Sequence, residues 1–142
     1  MSDNVYLGNP NLKKANTAIE FTQEQILEFV KCKEDPVYFA NNYIKIVSLD
    51  EGLTQFHPYH FQEKLINNFH GNRFNICKMP RQTGKSTTVV SYLLHYAVFN
   101  DSVNIGILAN KAATARELLG RLQTAYENLP KWMQQGIVAW NK

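Results

Sequence analysis

Residues 74–87 of this chain have the sequence FNICKMPRQTGKST, and this stretch decides the fold. The pattern is typical of a β-strand over 74–79, a tight loop, and a helix that opens with Gly84-Lys85-Ser86-Thr87. That order is the layout of a phosphate-binding loop, in which backbone N–H groups point at phosphate oxygens. Lys85 supplies a point charge for the β- and γ-phosphates, and Ser86 offers a hydroxyl to Mg²⁺. The stretch therefore predicts a site for a nucleoside triphosphate.

The loop departs from the common phosphate-loop pattern at one position. In the pattern G-x-x-x-x-G-K-S/T the first glycine is replaced here by Met79. A Gly-Lys-Ser triplet alone also occurs as a turn and helix cap, but the strongly helical pattern of 87–99 favours the phosphate site. Arg81 lies inside the loop and leaves two interpretations open. It acts on the γ-phosphoryl group as an arginine finger from the same chain, or it is an exposed arginine paired with a carboxylate.

The composition limits the classes of protein to which this chain can belong. The chain has 142 residues, enough for one domain with a core, and a formal net charge of +3, which permits contact with nucleic acid without demanding it. Cys32 and Cys77 have no metal-ligand spacing and are expected to be reduced thiols. The polar N-terminus predicts no signal peptide, and no apolar run is long enough for a membrane span.

The first half of the chain is predicted to be mostly helical. Residues 1–20 are expected to form an extended arm, and 21–70 a helical lead-in. Thr22 and Gln25 have capping-box spacing, and Asp35-Pro36 has the form of a helix start. A third helix is expected to open at His57-Pro58 and to end near residue 71, after a short extended piece at 44–49 and a turn at 50–52.

The second half, 71–142, alternates between strand and helix patterns. Strands are predicted at 74–79 and 103–109, and helices at 84–99 and 112–128. A crossover helix between two such strands implies a parallel sheet with right-handed connections, so the predicted fold class is α/β. The strand at 103–109 is apolar enough to be buried on both faces.

A magnesium-binding acid on a later strand is not evident. Glu117 and Glu127 lie in a helical pattern, and Asp101 lies before the second strand, away from the carboxyl ends where ligands bind. We therefore expect either a fragment that ends before the acidic strand, or a protein that binds nucleotide with little or no turnover.

Several segments together resemble the large terminase subunits of tailed bacteriophages. That family has an Arg-Gln pair before Gly-Lys-Ser/Thr and lacks the first glycine, as does the loop that begins at Met79. Further similar segments, in order, are 9–16, 35–40, Phe61-Gln62, 105–111, 129–130 and 136–141.

The resemblance implies roles for individual residues. Arg81 would be the arginine supplied in cis, and Gln62 would hydrogen-bond the adenine edge, for which a carboxamide has both donor and acceptor. Phe61 would pack near the base or in the core. Lys111 would sense DNA or couple ATP to movement, or it would be an ordinary solvated residue at the start of a helix. The residues expected to hold ATP and Mg²⁺ are Pro80, Arg81, Gln82, Thr83, Gly84, Lys85, Ser86 and Thr87, with Ser86 on the metal.

The resemblance also implies a RecA-like P-loop ATPase that drives double-stranded DNA into a viral prohead, in the cytoplasm of the host cell. It implies homo-oligomers, a portal protein and a small terminase subunit as partners, and no membrane. The nuclease domain of the family has no counterpart in these residues, so nuclease activity is expected to be absent. Two alternatives stay open: a helicase-like ATPase of another DNA pathway, and a nucleotide-binding assembly module without turnover.

Overall fold

The structure is a computed structural model, and it describes residues 4–48 and 50–141. It is a mixed α/β arrangement of five helices and two small antiparallel sheets within these residues. Along the chain the elements are β1 (Val5–Tyr6), β2 (Asn9–Lys13), α1 (Gln23–Glu34), α2 (Pro36–Tyr43), β3 (Lys45–Ser48), β4 (Gly52–Gln55), α3 (His60–Gly71), α4 (Lys85–Phe99) and α5 (Ala112–Glu127).

The first helices begin where their capping residues predict. Thr22 Oγ1 accepts a hydrogen bond from Gln25 N at 3.2 Å, and Gln25 Oε1 accepts one from Thr22 N at 3.1 Å, which confirms the capping box. Asp35 Oδ1 accepts hydrogen bonds from the backbone N–H groups of Val37 and Tyr38, both at 2.9 Å, with Pro36 as the first residue of α2. These caps satisfy N–H groups that have no partner inside the helix.

The core contains a cluster of aromatic rings between α1, α2 and α4. Phe39 of α2 is fully buried and lies 5.3 Å from Phe99 and 5.5 Å from His95, measured between ring centroids. Phe29 of α1 packs edge-on against Phe99 at 4.9 Å. Because α4 begins directly after the predicted phosphate loop, this cluster holds the helix on which that loop depends.

The N-terminal segment is a hairpin and not the extended arm that was predicted. β1 pairs antiparallel with β2, and Leu12 is buried in the core. The buried Gln134 binds the hairpin through both ends of its carboxamide, accepting from Lys13 N at 2.9 Å and donating to Asn11 O at 2.9 Å. Residues more than a hundred positions apart therefore hold the hairpin in place, which local sequence patterns do not reveal.

The predicted strands at 74–79 and 103–109 carry no strand pairing in the described residues, and no parallel sheet is present there. Each segment has α4 on one side only: Ile76 is 101% exposed and Leu108 is 93% exposed. A strand requires backbone partners on a neighbouring strand, and none lies beside these segments in the described part of the chain. The expectation that 103–109 is buried on both faces is wrong for this structure.

The remaining predicted features agree with the structure in part. β3 and β4 form a hairpin with Lys45 opposite Gln55, at the predicted extended piece and turn, and Leu49 lies outside the described residues. α3 begins at His60, three residues after the predicted start, while α4 and α5 match their predicted bounds closely. Near the C-terminal end of the described residues, Ile137 forms an isolated parallel bridge with Lys14.

Candidate functional site

The predicted phosphate loop turns sharply before α4. Gln82 has a φ of 60° and Gly84 has a φ of 70°, so two residues of the loop are in the left-handed region. Thr83 Oγ1 donates a hydrogen bond to Pro80 O at 3.0 Å and closes the turn from within. The left-handed conformation favours glycine, which explains Gly84 as the residue that leads into the helix.

Lys85, the first residue of α4, folds back over the loop. Its ammonium Nζ donates to Met79 O at 3.1 Å and to Pro80 O at 3.2 Å. The positive charge is therefore held at the loop rather than extended into solvent. Neutral carbonyl oxygens are weaker partners for an ammonium than phosphate oxygens, because hydrogen bonds between two ionised groups are stronger.

The first turn of α4 lacks a cap from any described side chain. Gly84 has no side chain to accept from the first N–H groups, and the first turn contains no acidic residue. The N–H groups of Lys85, Ser86 and Thr87 accordingly have no hydrogen-bond partner within the described part of the chain. Unsatisfied N–H groups and the positive end of the helix dipole both favour an anion at this position.

Gln62 connects the loop to α3. The side chain is only 3% exposed, and its Oε1 accepts from Tyr59 N at 2.9 Å while its Nε2 donates to Thr83 O at 3.3 Å. Both polar ends of the carboxamide are therefore bonded to backbone. The predicted contact with adenine would require the side chain to release Thr83.

We expect Gly84→Ala to disrupt the loop. A Cβ at this position would lie 2.5 Å from Nε2 of Gln62, and the left-handed backbone would cost about 1–2 kcal/mol for alanine. Because Gln62 is buried and bonded at both ends, it cannot move away without losing its contact with Thr83. Urea unfolding should show a loss of at least about 1 kcal/mol in the free energy of unfolding.

Gly71→Ala is the matched control for this substitution. Gly71 ends α3, has no positive φ, and would place its Cβ in open space. We expect a change within about 0.5 kcal/mol. Equal stability losses in the two variants would contradict the close packing of Gly84 against Gln62.

A cavity of about 740 Å³ opens beside the first turns of α4. Thr87 and Val90 of α4 form one wall, Ile46 of β3 another, and Glu117 and Thr124 of α5 a third. The volume is in the range of small-molecule sites. The sequence analysis did not predict the contributions of β3 and α5, because only the tertiary packing brings them next to the loop helix.

The other predicted site residues are distributed around the loop. Pro80, Arg81 and Gln82 are exposed, and Thr83, Ser86 and Thr87 are half-buried. Arg81 has no carboxylate within ion-pair distance in the described ranges, so the paired loop arginine of the alternative interpretation is not found.

Three further residues lie outside the predicted phosphate loop. Lys111 is exposed at the N-cap of α5. Phe61 is partly exposed and stacks on Tyr59 at 6.0 Å. His95 of α4 is buried in the aromatic cluster.

The acids considered in the sequence lie apart from Ser86 or are already paired. Glu117 shares the cavity with Thr87, but its Oε1 forms an ion pair with Arg121 at 2.7 Å. Asp101 follows the far end of α4, and the 15 residues of that helix span about 22 Å. Within residues 4–48 and 50–141, no three metal-ligating side chains form a group that could hold a metal ion.

No model of a known protein family matches this chain. None of the helices in the described residues has the length and apolar character needed to cross a membrane.

Proposed function

We propose that this chain binds ATP with Mg²⁺ and is the nucleotide-binding part of a DNA-packaging motor of the large terminase type. The observation that carries the proposal is the arrangement around Lys85. An uncapped helix N-terminus, a left-handed glycine and a lysine folded over the loop meet at one point. The open N–H groups and the ammonium both attract phosphate, and the glycine allows the sharp turn that leads into the helix, which together support the layout of a P-loop.

Different groups of the loop would contact different parts of a bound triphosphate. Backbone N–H groups of Lys85, Ser86 and Thr87 donate to phosphate oxygens, and the Lys85 ammonium exchanges two carbonyl oxygens for phosphate. Ser86 would offer a hydroxyl oxygen to Mg²⁺, and the bound ion would neutralise part of the charge on the phosphates. Arg81, exposed and without an ion-pair partner in the described residues, can turn toward the γ-phosphate.

The cavity beside Thr87 is the place where the nucleoside end of the ligand would lie. It adjoins the first turn of α4, its walls combine apolar, hydroxyl and charged side chains, and its volume of about 740 Å³ suits a nucleoside. Gln62 would then connect α3 to the loop through its hydrogen bond to Thr83, and its carboxamide would not contact the base.

Movement of double-stranded DNA, homo-oligomers, and docking on a portal protein and a small terminase subunit rest on the sequence resemblance alone. DNA contacts of such a motor would fall on phosphates, independent of sequence and weakened by salt. A parallel RecA-like sheet built on segments 74–79 and 103–109 belongs to the same proposal.

A second function, a nucleotide-binding assembly module without turnover, is favoured by one observation. Glu117, the acid that shares a cavity with Thr87, is engaged by Arg121 at 2.7 Å. A carboxylate oxygen that accepts a hydrogen bond from a guanidinium is less available to accept one from an attacking water. Hydrolysis therefore separates the two functions.

Calorimetric titration with a non-hydrolysable ATP analogue and Mg²⁺ tests nucleotide binding. We expect Lys85→Ala to weaken binding by roughly 30-fold or more, the effect of removing a charged partner from phosphate. Lys131→Ala, which removes an exposed lysine near the end of the chain, is the matched control and should bind as the unaltered protein does.

An ATP hydrolysis assay on the same samples then separates the functions. Binding that depends on Lys85 together with turnover indicates an ATPase, and binding without turnover indicates the assembly module. If the unaltered protein and Lys85→Ala bind the analogue equally, or neither binds, the phosphate loop is not a nucleotide site.

A further inference from the structure

A second cavity, of about 650 Å³, lies beside the middle of α4. It is bounded by the end of α3, by the middle of α4 and by the two unpaired segments near Asn75 and Asn104. Along α4 its residues run from Val89 to Tyr96, which places them about 6–16 Å from Lys85 along the helix axis. No residue of the phosphate loop lines it, so the two sites are distinct.

One wall of this cavity is aromatic. Phe69 and Tyr92 lie 5.5 Å apart between ring centroids, and Tyr92 and Tyr96 lie 6.3 Å apart. Tyr96 is exposed at the mouth, while Tyr92 is half-buried. Aromatic rings at the rim of an open cavity present π-faces on which a planar ligand can stack.

Another part of the lining is polar and carries hydrogen-bond acceptors. The Nδ2 groups of Asn72 and Asn75 are tied, donating to Asn68 O at 3.0 Å and to Asn72 O at 2.9 Å. Their Oδ1 atoms have no donor in the described part of the chain, and Asn104 has no hydrogen bond there at all. Acceptors held in this way suit a ligand that carries amino or ring N–H donors.

The charge of the cavity selects for an anion. Arg73 is the charged residue that lines it, and none of its described lining residues is acidic. The Arg73 guanidinium lies 5.2 Å from the ring of Phe74 and makes no ion pair within the described residues. Its charge is therefore available to a ligand.

We propose that this cavity binds a nucleotide unit, with the base stacked on Tyr96 and Tyr92, its amino edge on the asparagine oxygens, and its phosphate on Arg73. Adenine, cytosine and guanine all carry such amino donors. The unit is either a free mononucleotide or one residue of single-stranded nucleic acid, since both have the same base and phosphate chemistry. This site does not depend on nucleotide binding at Lys85.

The test uses the Lys85→Ala protein, so that the phosphate loop does not contribute. AMP is titrated by calorimetry, and a labelled hexamer of deoxyadenylate by fluorescence anisotropy. We expect at least one probe to bind, and Tyr96→Ala to weaken that binding about five-fold or more through lost stacking. Arg73→Ala should weaken it as well and lower the salt dependence by about one phosphate contact.

Two further variants test whether the binding depends on this cavity. Asn104→Ala alters an exposed side chain without hydrogen bonds to described residues, so it should weaken binding while leaving the fold intact. Arg116→Ala removes an exposed arginine of α5 outside the cavity and should not change affinity.

Binding of AMP identifies a free nucleotide as a sufficient ligand, and binding of the hexamer alone identifies single-stranded nucleic acid; either supports the site if it depends on Tyr96 and Arg73. The proposal is overturned if neither probe binds, or if binding is unaffected by Tyr96→Ala, Arg73→Ala and Asn104→Ala. The outcome is independent of the phosphate-loop titration.

Discussion

Phe39→Ala is expected to lower the free energy of unfolding by about 3–5 kcal/mol, the usual cost of removing a buried phenylalanine ring. The Phe39 side chain is completely buried and contacts Phe99, His95 and Tyr43. The substitution leaves a cavity between α2 and α4 that neighbouring rings cannot fill by small movements. Urea unfolding followed by tryptophan fluorescence measures the change.

Phe74→Ala is the matched control, because the Phe74 side chain is 82% exposed. Its removal should change stability by no more than about 0.5 kcal/mol. A loss below about 1 kcal/mol for Phe39→Ala would contradict the central position of this ring in the core. Since the same cluster holds α4, we also expect nucleotide binding at the start of α4 to weaken as the fold loosens.

Acid is expected to destabilise the protein through His95. Burial lowers the pKa of this imidazole from 6.5 to about 4, with a smaller contribution in the same direction from His70 on α3, while the backbone of Cys32 and the Asp35 carboxylate oppose the shift. Nε2 lies 2.9 Å from Cys32 O and donates to it, so the neutral ring already has its partner. Nδ1 is buried without a hydrogen-bond partner in the described residues.

The direction follows from proton binding. Between pH 6.5 and 4 the unfolded chain binds a proton at His95 and the folded protein does not, so stability falls as the pH falls through this window. The contribution is zero well above pH 6.5 and reaches a loss of about 3 kcal/mol below pH 4. At pH 5 the expected loss is about 2 kcal/mol.

His95→Gln isolates this effect from other titrating groups. Glutamine can still donate to Cys32 O but does not titrate, so the free energy of unfolding should depend less on pH between 7 and 5 than in the unaltered protein. His60→Gln, at an exposed position, should retain the full dependence. An identical pH dependence in His95→Gln and the unaltered protein would show that His95 does not take up the proton.

Local sequence signals were sufficient for the helices and for the loop. The caps at Thr22 and Asp35 bind backbone groups two or three positions away, and the turn at Gly84 depends on the backbone conformation of that residue itself. Their effects can therefore be deduced from neighbouring residues. The Gly-Lys-Ser sequence therefore predicted correctly where α4 begins.

The tertiary structure alone decided which distant residues meet the loop. Gln62 was assigned to a ligand, yet packing brings it to Thr83, 21 positions away, and both its polar ends are used. The cavity beside Thr87 depends on β3 and α5, and the second cavity on α3 and two unpaired segments. Such contacts are set by how helices pack, which side-chain periodicity does not specify.

The predicted strands also show that local sequence does not determine long-range pairing. Apolar composition at 103–109 predicted a β-strand, but a strand exists only where a second backbone supplies its hydrogen bonds. In the described residues that second backbone is absent, and the segment keeps α4 on one side and solvent on the other. The helices and the turn before α4 thus follow from the sequence, because their hydrogen bonds are local. Pairing, cavities and the partners of Gln62 were decided by the tertiary structure, because they join residues that the chain keeps far apart.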